Sequence, residues 1–190
     1  MQRTLSPLRH LTFDELNAGL AHIRASPKEE GRLEAIIARP APGERRDLAS
    51  SEISLAGGVH GDHWAKGCWK TTADGKPDPD VQICMMNARC IELIAQERSN
   101  WPPAGDNFFI DMDLTPGNMP PGTRLGIGSA IIEVTGIAHN GCASFIERYG
   151  RDACVFVNTG EGERLRLRGI YARVVRDGRV SVGDKVKKLA

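Results

Sequence analysis

Cys142 stands where a thiol could react. It follows Asn140-Gly141 and opens a stretch, Cys142–Tyr149, that reads as a short helix stopped by Gly150. The free N–H groups at a helix start stabilise an anion, which favours thiolate over thiol. His139 and Arg148 are near in sequence and can add positive charge. Such a thiolate can attack sulfane sulfur, carry a persulfide or bind a soft metal. The competing reading is a small buried hydrophobe, the usual fate of a free cysteine.

The other four thiols read mainly as packing. Cys84 falls in an apolar strand, Cys90 on the apolar face of a helix, and Cys154 leads Val155-Phe156-Val157. Cys68 follows His60 and His63 in an H-x-x-H-x-x-x-x-C spacing that suits zinc but lacks a fourth ligand. His60, Asp62 and His63 sit on a Gly-rich turn, where backbone can approach a ligand closely. They can orient a substrate or relay a proton near neutral pH. Equally, Asp62 can bond its own turn while the two histidines face water.

Elements must hold these groups in place. The chain has 190 residues, 41% of them hydrophobic, enough for one domain with a sizeable core. Its 21 Gly and 11 Pro are dispersed, which points to many turns between short elements. Thr12 and Glu15 form a capping box for a helix over 12–25, with Phe13, Leu16, Leu20 and Ile23 on one face. Strands are expected at Leu33–Ala38, Glu52–Leu55, Val81–Met86, Asp106–Met112, Arg124–Ile127 and Ala130–Ile137. Further strands are expected at Leu165–Arg168, Ile170–Val175, Val180–Val182 and Asp184–Lys188, with a hairpin turn at 176–179. Asn87 can cap a helix running to about Arg98, and the polar stretch 70–80 reads as a loop. This pattern predicts a mainly β fold, a barrel with a few peripheral helices. It divides into an N-terminal helical extension over 1–30 and a barrel over 31–190.

Charge narrows the partners. The net charge is +1, yet residues 141–190 carry 11 Lys and Arg against 6 Asp and Glu. A basic last quarter suits an anion. Nucleic acid fits poorly, because Arg164, Arg166 and Arg168 have no aromatic stacking pattern beside them. No apolar run approaches the ~20 residues of a membrane span. The N-terminal MQRTLSPLRH lacks a secretory h-region, and five cysteines do not form a disulfide scaffold, so a cytoplasmic location is expected.

Three segments, in order, resemble the MOSC domain. Gly58-Val59-His60-Gly61-Asp62-His63 looks like the family's G-x-x-G-D-x-H segment. Gly105-Asp106-Asn107-Phe108-Phe109 stands in the place of its G-E-N-L turn, with Asp106 where Glu is usual. The third is a C-terminal block. It runs from Leu125-Gly126-Ile127-Gly128 through His139-Asn140-Gly141-Cys142 to Arg168–Val175 and Gly178–Asp184. Many relatives have Pro before the cysteine, where this chain has Gly141.

The resemblance implies a β-barrel and the molybdenum cofactor (molybdopterin), bound stably or only during transfer. It implies Cys142 as either a persulfide carrier or a thiolate ligand of molybdenum. Some relatives reduce N-hydroxylated compounds with molybdenum. No aminotransferase-like domain precedes the barrel, so a separate sulfurase or reductase partner is expected. A pterin cofactor carries a phosphate, which an Arg fork holds well. In Ile170–Val175, alternation places Tyr171, Arg173 and Val175 on one face, making Arg173 a phosphate candidate. Arg89, Asn158 and Thr159 are further cofactor candidates, with His60, Asp62, His63, Asn107 and His139. A second reading stays open: a barrel that binds an anionic small molecule or protein partner and does no chemistry.

Overall fold

Runs of apolar residues with no polar alternation mark strands buried on both faces. Ile83-Cys84-Met85-Met86-Asn87 is such a run, and all five of its residues are buried. In the computed structural model, which describes residues 7–189, strands of this kind close into a barrel. Residues 1–6, in the expected extension, and residue 190, in the expected barrel, lie outside the described part.

The chain begins with helices α1 (Phe13–Ala18) and α2 (Leu20–Arg24). The Thr12–Glu15 capping box forms, while the expected single helix over 12–25 breaks at Gly19. Strands β1 (Glu30–Ala38), β2 (Arg46–Leu48), β3 (Ser50–Ser54), β4 (Gly58–Val59) and β5 (Ile83–Asn87) follow. Helix α3 (Ala88–Ala95) is capped by the Asn87 side chain, which accepts from Cys90 N–H at 3.0 Å. It stops three residues earlier than expected, where Gln96 takes φ 61°. Strands β6 (Phe108–Asp111), β7 (Arg124–Ile127) and β8 (Ala130–Val134) lead to helices α4 (Ala143–Tyr149), α5 (Arg151–Asn158) and α6 (Gly160–Arg164). Strands β9 (Ile170–Arg176), β10 (Gly178–Ser181) and β11 (Lys185–Lys188) complete the chain.

The barrel runs β11-β7-β8-β9-β5-β6-β1, and β1 closes it by pairing with β11. Only β5 and β6 pair in parallel; the other contacts around the barrel are antiparallel. A bulge near Glu34 lets Leu33 and Ile36, three residues apart, both point inward. Inside lie Phe108, Ile110, Ile83, Met85, Ile132 and Val174. A second core forms between the barrel wall and the helices, where Leu16, Ile94, Phe109, Phe145 and Phe156 meet.

Two expectations fail for physical reasons. Leu165–Arg168 is not a strand. It is the turn after α6, with Arg166 in the left-handed region at φ 52° and Leu167 N–H donating to Gly162 O at 2.9 Å. The Leu/Arg alternation there was local and had no strand edge to pair with. Residues 176–179 are not a hairpin turn either. Both edges of β9 are taken by β5 and β8, so β10 crosses to pair with β3. Among the described residues no helix is long and apolar enough to cross a membrane.

Phe108 is fully enclosed and reaches the middle of the barrel. Phe108→Ala should cost about 3–5 kcal/mol through lost burial and the cavity left behind. Urea denaturation followed by circular dichroism measures this; a loss under 1 kcal/mol would mean the barrel interior is not packed as described.

Candidate functional site

One end of the barrel carries a cluster of cations. Arg39 leaves the end of β1 and turns inward. Its Nε and one terminal nitrogen grip Asp62 Oδ2 and Oδ1 at 2.8 and 3.0 Å. The other contacts are to Gly105 O, Asn107 Oδ1 and Cys84 Sγ, each at 3.0 Å. Asp62 also accepts from the Arg39 and Trp64 backbone N–H groups and from Asn107 Nδ2. Burial alone would push the Asp62 carboxyl up, but Arg39 outweighs it and holds the carboxyl below the usual range. A fork geometry of this kind, with one carboxylate and several satisfied neighbours, fixes loop 58–63 to the end of β1.

A second buried pair lies beside it. Arg168 holds Asp106 at 2.8 and 3.0 Å and donates to Ala104 O at 3.1 Å. Burial pushes the Asp106 carboxyl up, while Arg168, Arg39 and Arg45 oppose that. Arg168 Nε and His139 Nδ1 are both buried with no partner, and His139 Nδ1 lies 3.6 Å from Asp106 Oδ1. The His139 ring packs against Tyr171 in a tilted arrangement, with centroids 4.4 Å apart. Burial, then the fields of Arg168 and Arg39, pushes His139 well below its ordinary pKa, so it is neutral at pH 7.

These pairs floor a cleft of about 260 Å³, just under the ~300–1,000 Å³ of most ligand pockets. Its lining includes Cys142 and Ser144 at the start of α4, Cys68 and Cys84, and two further arginines, Arg45 and Arg148. Arg39 is balanced by Asp62 and Arg168 by Asp106. Among the described residues Arg45 and Arg148 have no carboxylate partner; Arg45 donates to Glu44 O at 2.6 Å and Arg148 to Pro103 O. Burial, then repulsion from Arg148 and Arg39, pushes Arg45 down. Cations held this close without acids make the cleft attractive to an anion.

Cys142 is exposed at the cleft wall. Partial burial would raise its thiol, but the N–H groups of Phe145 and Ser144, the field of Arg168 and the Ser144 hydroxyl outweigh that. The net effect is a thiol below its ordinary value, so more of it is thiolate at neutral pH. Cys84, by contrast, is pushed up by burial and Cys90 is enclosed in the second core, as their sequence context suggests.

The residues expected from sequence divide into three sets. Cys142, His139 and His63 line the cleft together, and Asp62 and Asn107 support it from beneath. Asn158 lies behind the segment leading to Cys142 and bonds Gly141. The remaining four stand apart. Arg173 is held by Glu133 at 2.6 Å and Asp80 at 3.2 Å. Arg89 is held by Asp111. Thr159 bonds Val155 O, and His60 is exposed outside the cleft. Among the described residues no group of three or more His, Cys, Asp or Glu could hold a metal ion, so His60, His63 and Cys68 do not form the zinc trio that their spacing allowed. Sequence reading missed Arg39, Arg45 and Arg168 as site residues. The available signal for Arg39 was an arginine directly after an apolar strand. For Arg168 it was an arginine between Leu167 and Gly169.

The family model of the MOSC domain matches residues 75–187. The fold is similar to that of the YuaD protein from Bacillus subtilis, at 18% identity and a TM-score of 0.57, over 84% of this chain and 95% of that one. It is also similar to YiiM from Escherichia coli, at 18% identity and a TM-score of 0.54, over 84% of this chain and 70% of that one. YiiM from Geobacillus stearothermophilus aligns at 13% identity and a TM-score of 0.51, over 84% and 73%. No curated protein matches the chain.

The Asp62–Arg39 pair yields a test with a defined sign. The folded pKa of Asp62 is lowered, so its stabilisation is complete above about pH 4 and is lost as pH falls further. Asp62→Asn leaves Arg39 buried without its counter-charge, which should cost about 3–5 kcal/mol at neutral pH. That part of the acid-side loss should vanish in the variant. Denaturant unfolding at a series of pH values gives both readings; parallel pH profiles for the two proteins would contradict this account.

Proposed function

The chain belongs to the MOSC domain family, and from that premise we propose that it binds the molybdenum cofactor and acts through a Cys142 thiolate. The observation that carries this reading is the pairing of an exposed, acidified thiol with two uncompensated arginines in one cleft.

The residues present fit such a group. Arg45 and Arg148 offer forks to a pterin phosphate, and Arg168 lines the same cleft with its Nε unpartnered. Cys142 Sγ would be the soft ligand in a cleft where, among the described residues, no group of His, Cys, Asp or Glu forms a metal site of its own. When bound, the cofactor supplies two-electron redox and sulfur chemistry at molybdenum. The remaining work falls to the chain. Cys142 either holds the metal or attacks the outer sulfur of a donor persulfide, forming its own S–S bond and releasing the donor thiolate. Neutral His139 contributes hydrogen bonding without further charge, and Tyr171 backs its ring. N-hydroxylated small molecules are the substrates of the redox form of this reading. A sulfurase or reductase is its protein partner.

The uncompensated arginines also support a binding-only barrel that takes an anion and leaves the thiol idle. One experiment separates these. The protein is expressed in cells that make the cofactor, and molybdenum is measured by elemental mass spectrometry, alongside intact mass for an added sulfur atom. Wild type should carry molybdenum or a Cys142 persulfide, and Cys142→Ser should carry neither while remaining folded. Absence of both from wild type would sink the proposal, and metal or sulfur retained in Cys142→Ser would move it off this thiol.

A further inference from the structure

Residues 136–140 form a strap between β8 and α4. It separates the Cys142 cleft from a second cavity of about 240 Å³, and His139 and Arg168 line both. Among the described residues no backbone hydrogen bond holds 136–140. The strap is tied at its ends. Thr135 N–H donates to Tyr171 O at 2.9 Å on one side. On the other side the Asn158 carboxamide takes Gly141 at two points: Oδ1 accepts its N–H at 2.8 Å, and Nδ2 donates to its carbonyl at 3.2 Å.

Asn158 is itself well anchored. It ends α5, whose Phe156 and Val157 are buried in the second core, and its Nδ2 also reaches Cys154 Sγ at 3.3 Å. We propose that Asn158 is a positioning residue for Cys142, its carboxamide fixing Gly141 and thereby where the Cys142 sulfur is presented. The inference rests on the reading above only in taking Cys142 as the reacting group.

The clamp demands a glycine. A Cβ at Gly141 would lie 2.9 Å from Asn158 Nδ2 and 3.2 Å from Cys154 Sγ. It also demands an N–H, which a proline would forfeit while fixing the backbone by its ring. Carboxamide clamp and proline ring are therefore alternative ways to hold the residue before Cys142. Without either, residue 141 drifts, and with it the place of Cys142 Sγ relative to the start of α4 and to Arg168, whose field favours the thiolate.

The test reads the free thiol of the full chain, with no sulfur donor or metal. Alkylation of Cys142 by iodoacetamide is followed against pH by mass spectrometry of its peptide, which separates it from the other four cysteines. Asn158→Ala should raise the midpoint by about one pH unit, or about tenfold less thiolate at neutral pH. The double variant Gly141→Pro/Asn158→Ala should return it toward wild type, which a merely structural role for Asn158 would not predict. Gly141→Ala breaks the clamp from the other side and should give the same rise, so the test survives if Asn158→Ala does not fold. An unchanged midpoint in a folded single variant, or a rise that proline fails to reverse, overturns the proposal. Such a failure leaves sulfur loading and molybdenum binding untouched. Conversely, a wild type that takes up neither leaves a midpoint shift standing.

Discussion

The buried guanidinium of Arg39 ties together three parts of the chain that are distant in sequence. It reaches the end of β1, the Gly-rich turn at Asp62 and the turn at Gly105–Asn107. A charge so enclosed is tolerable only when its donors are satisfied in good geometry. Asp62 supplies the counter-charge, and carbonyl and carboxamide oxygens take the rest. Asn107 closes the circuit by bonding both Asp62 and the β1 backbone at Ile37. The cleft floor is therefore a single electrostatic unit. Removing either charge leaves the other buried without its counter-charge, and removing Asn107 strips a bond from both, which gives one physical reason for the G-D and G-D-N segments to occur together in this chain.

On that floor the site divides its labour by burial. The more deeply set groups are paired and fixed: Arg39 with Asp62, Arg168 with Asp106. Groups at the wall are left reactive: Cys142 exposed with its thiol lowered, and Arg45 and Arg148 without acids. His139 sits at the boundary. Burial, reinforced by the fields of Arg168 and Arg39, keeps a proton off its imidazole, so it adds polarity and no charge. The uncompensated charge at the wall thus comes from two residues, while the field that acts on the Cys142 thiol is that of Arg168.

The sequence made the barrel legible because two-sided burial leaves near-continuous apolar runs, as in β5 and β6, and Gly punctuation separates them. It misled where a period of two arose without a partner strand, at 165–168. Helices α5 and α6 went unread although Ala153, Phe156 and Val157 are buried at helical spacing, because Cys154–Val157 looked like a plain apolar run. In the site, Cys142, His139, Asp62 and Asn107 were legible from type and motif. Arg173 and Arg89 have the right chemistry for a phosphate, but local carboxylates claim both. Arg39, Arg45 and Arg168 escaped because an arginine's role depends on which acids reach it, and strand pairing decides that.

Gly141 shows the same principle on the smallest scale. Read alone, a glycine in place of the relatives' proline suggests a looser approach to the cysteine. In the fold it is the one residue type that fits against Asn158 and Cys154 while offering an N–H to be held. The stiffness that a pyrrolidine ring would build into the backbone is supplied here from outside, by a side chain on a packed helix. Two weak-looking features, a glycine and a carboxamide 17 residues on, become one constraint only when α5 folds back against the strap. The departure from the family pattern thus keeps the geometry at Cys142 by a different physical route.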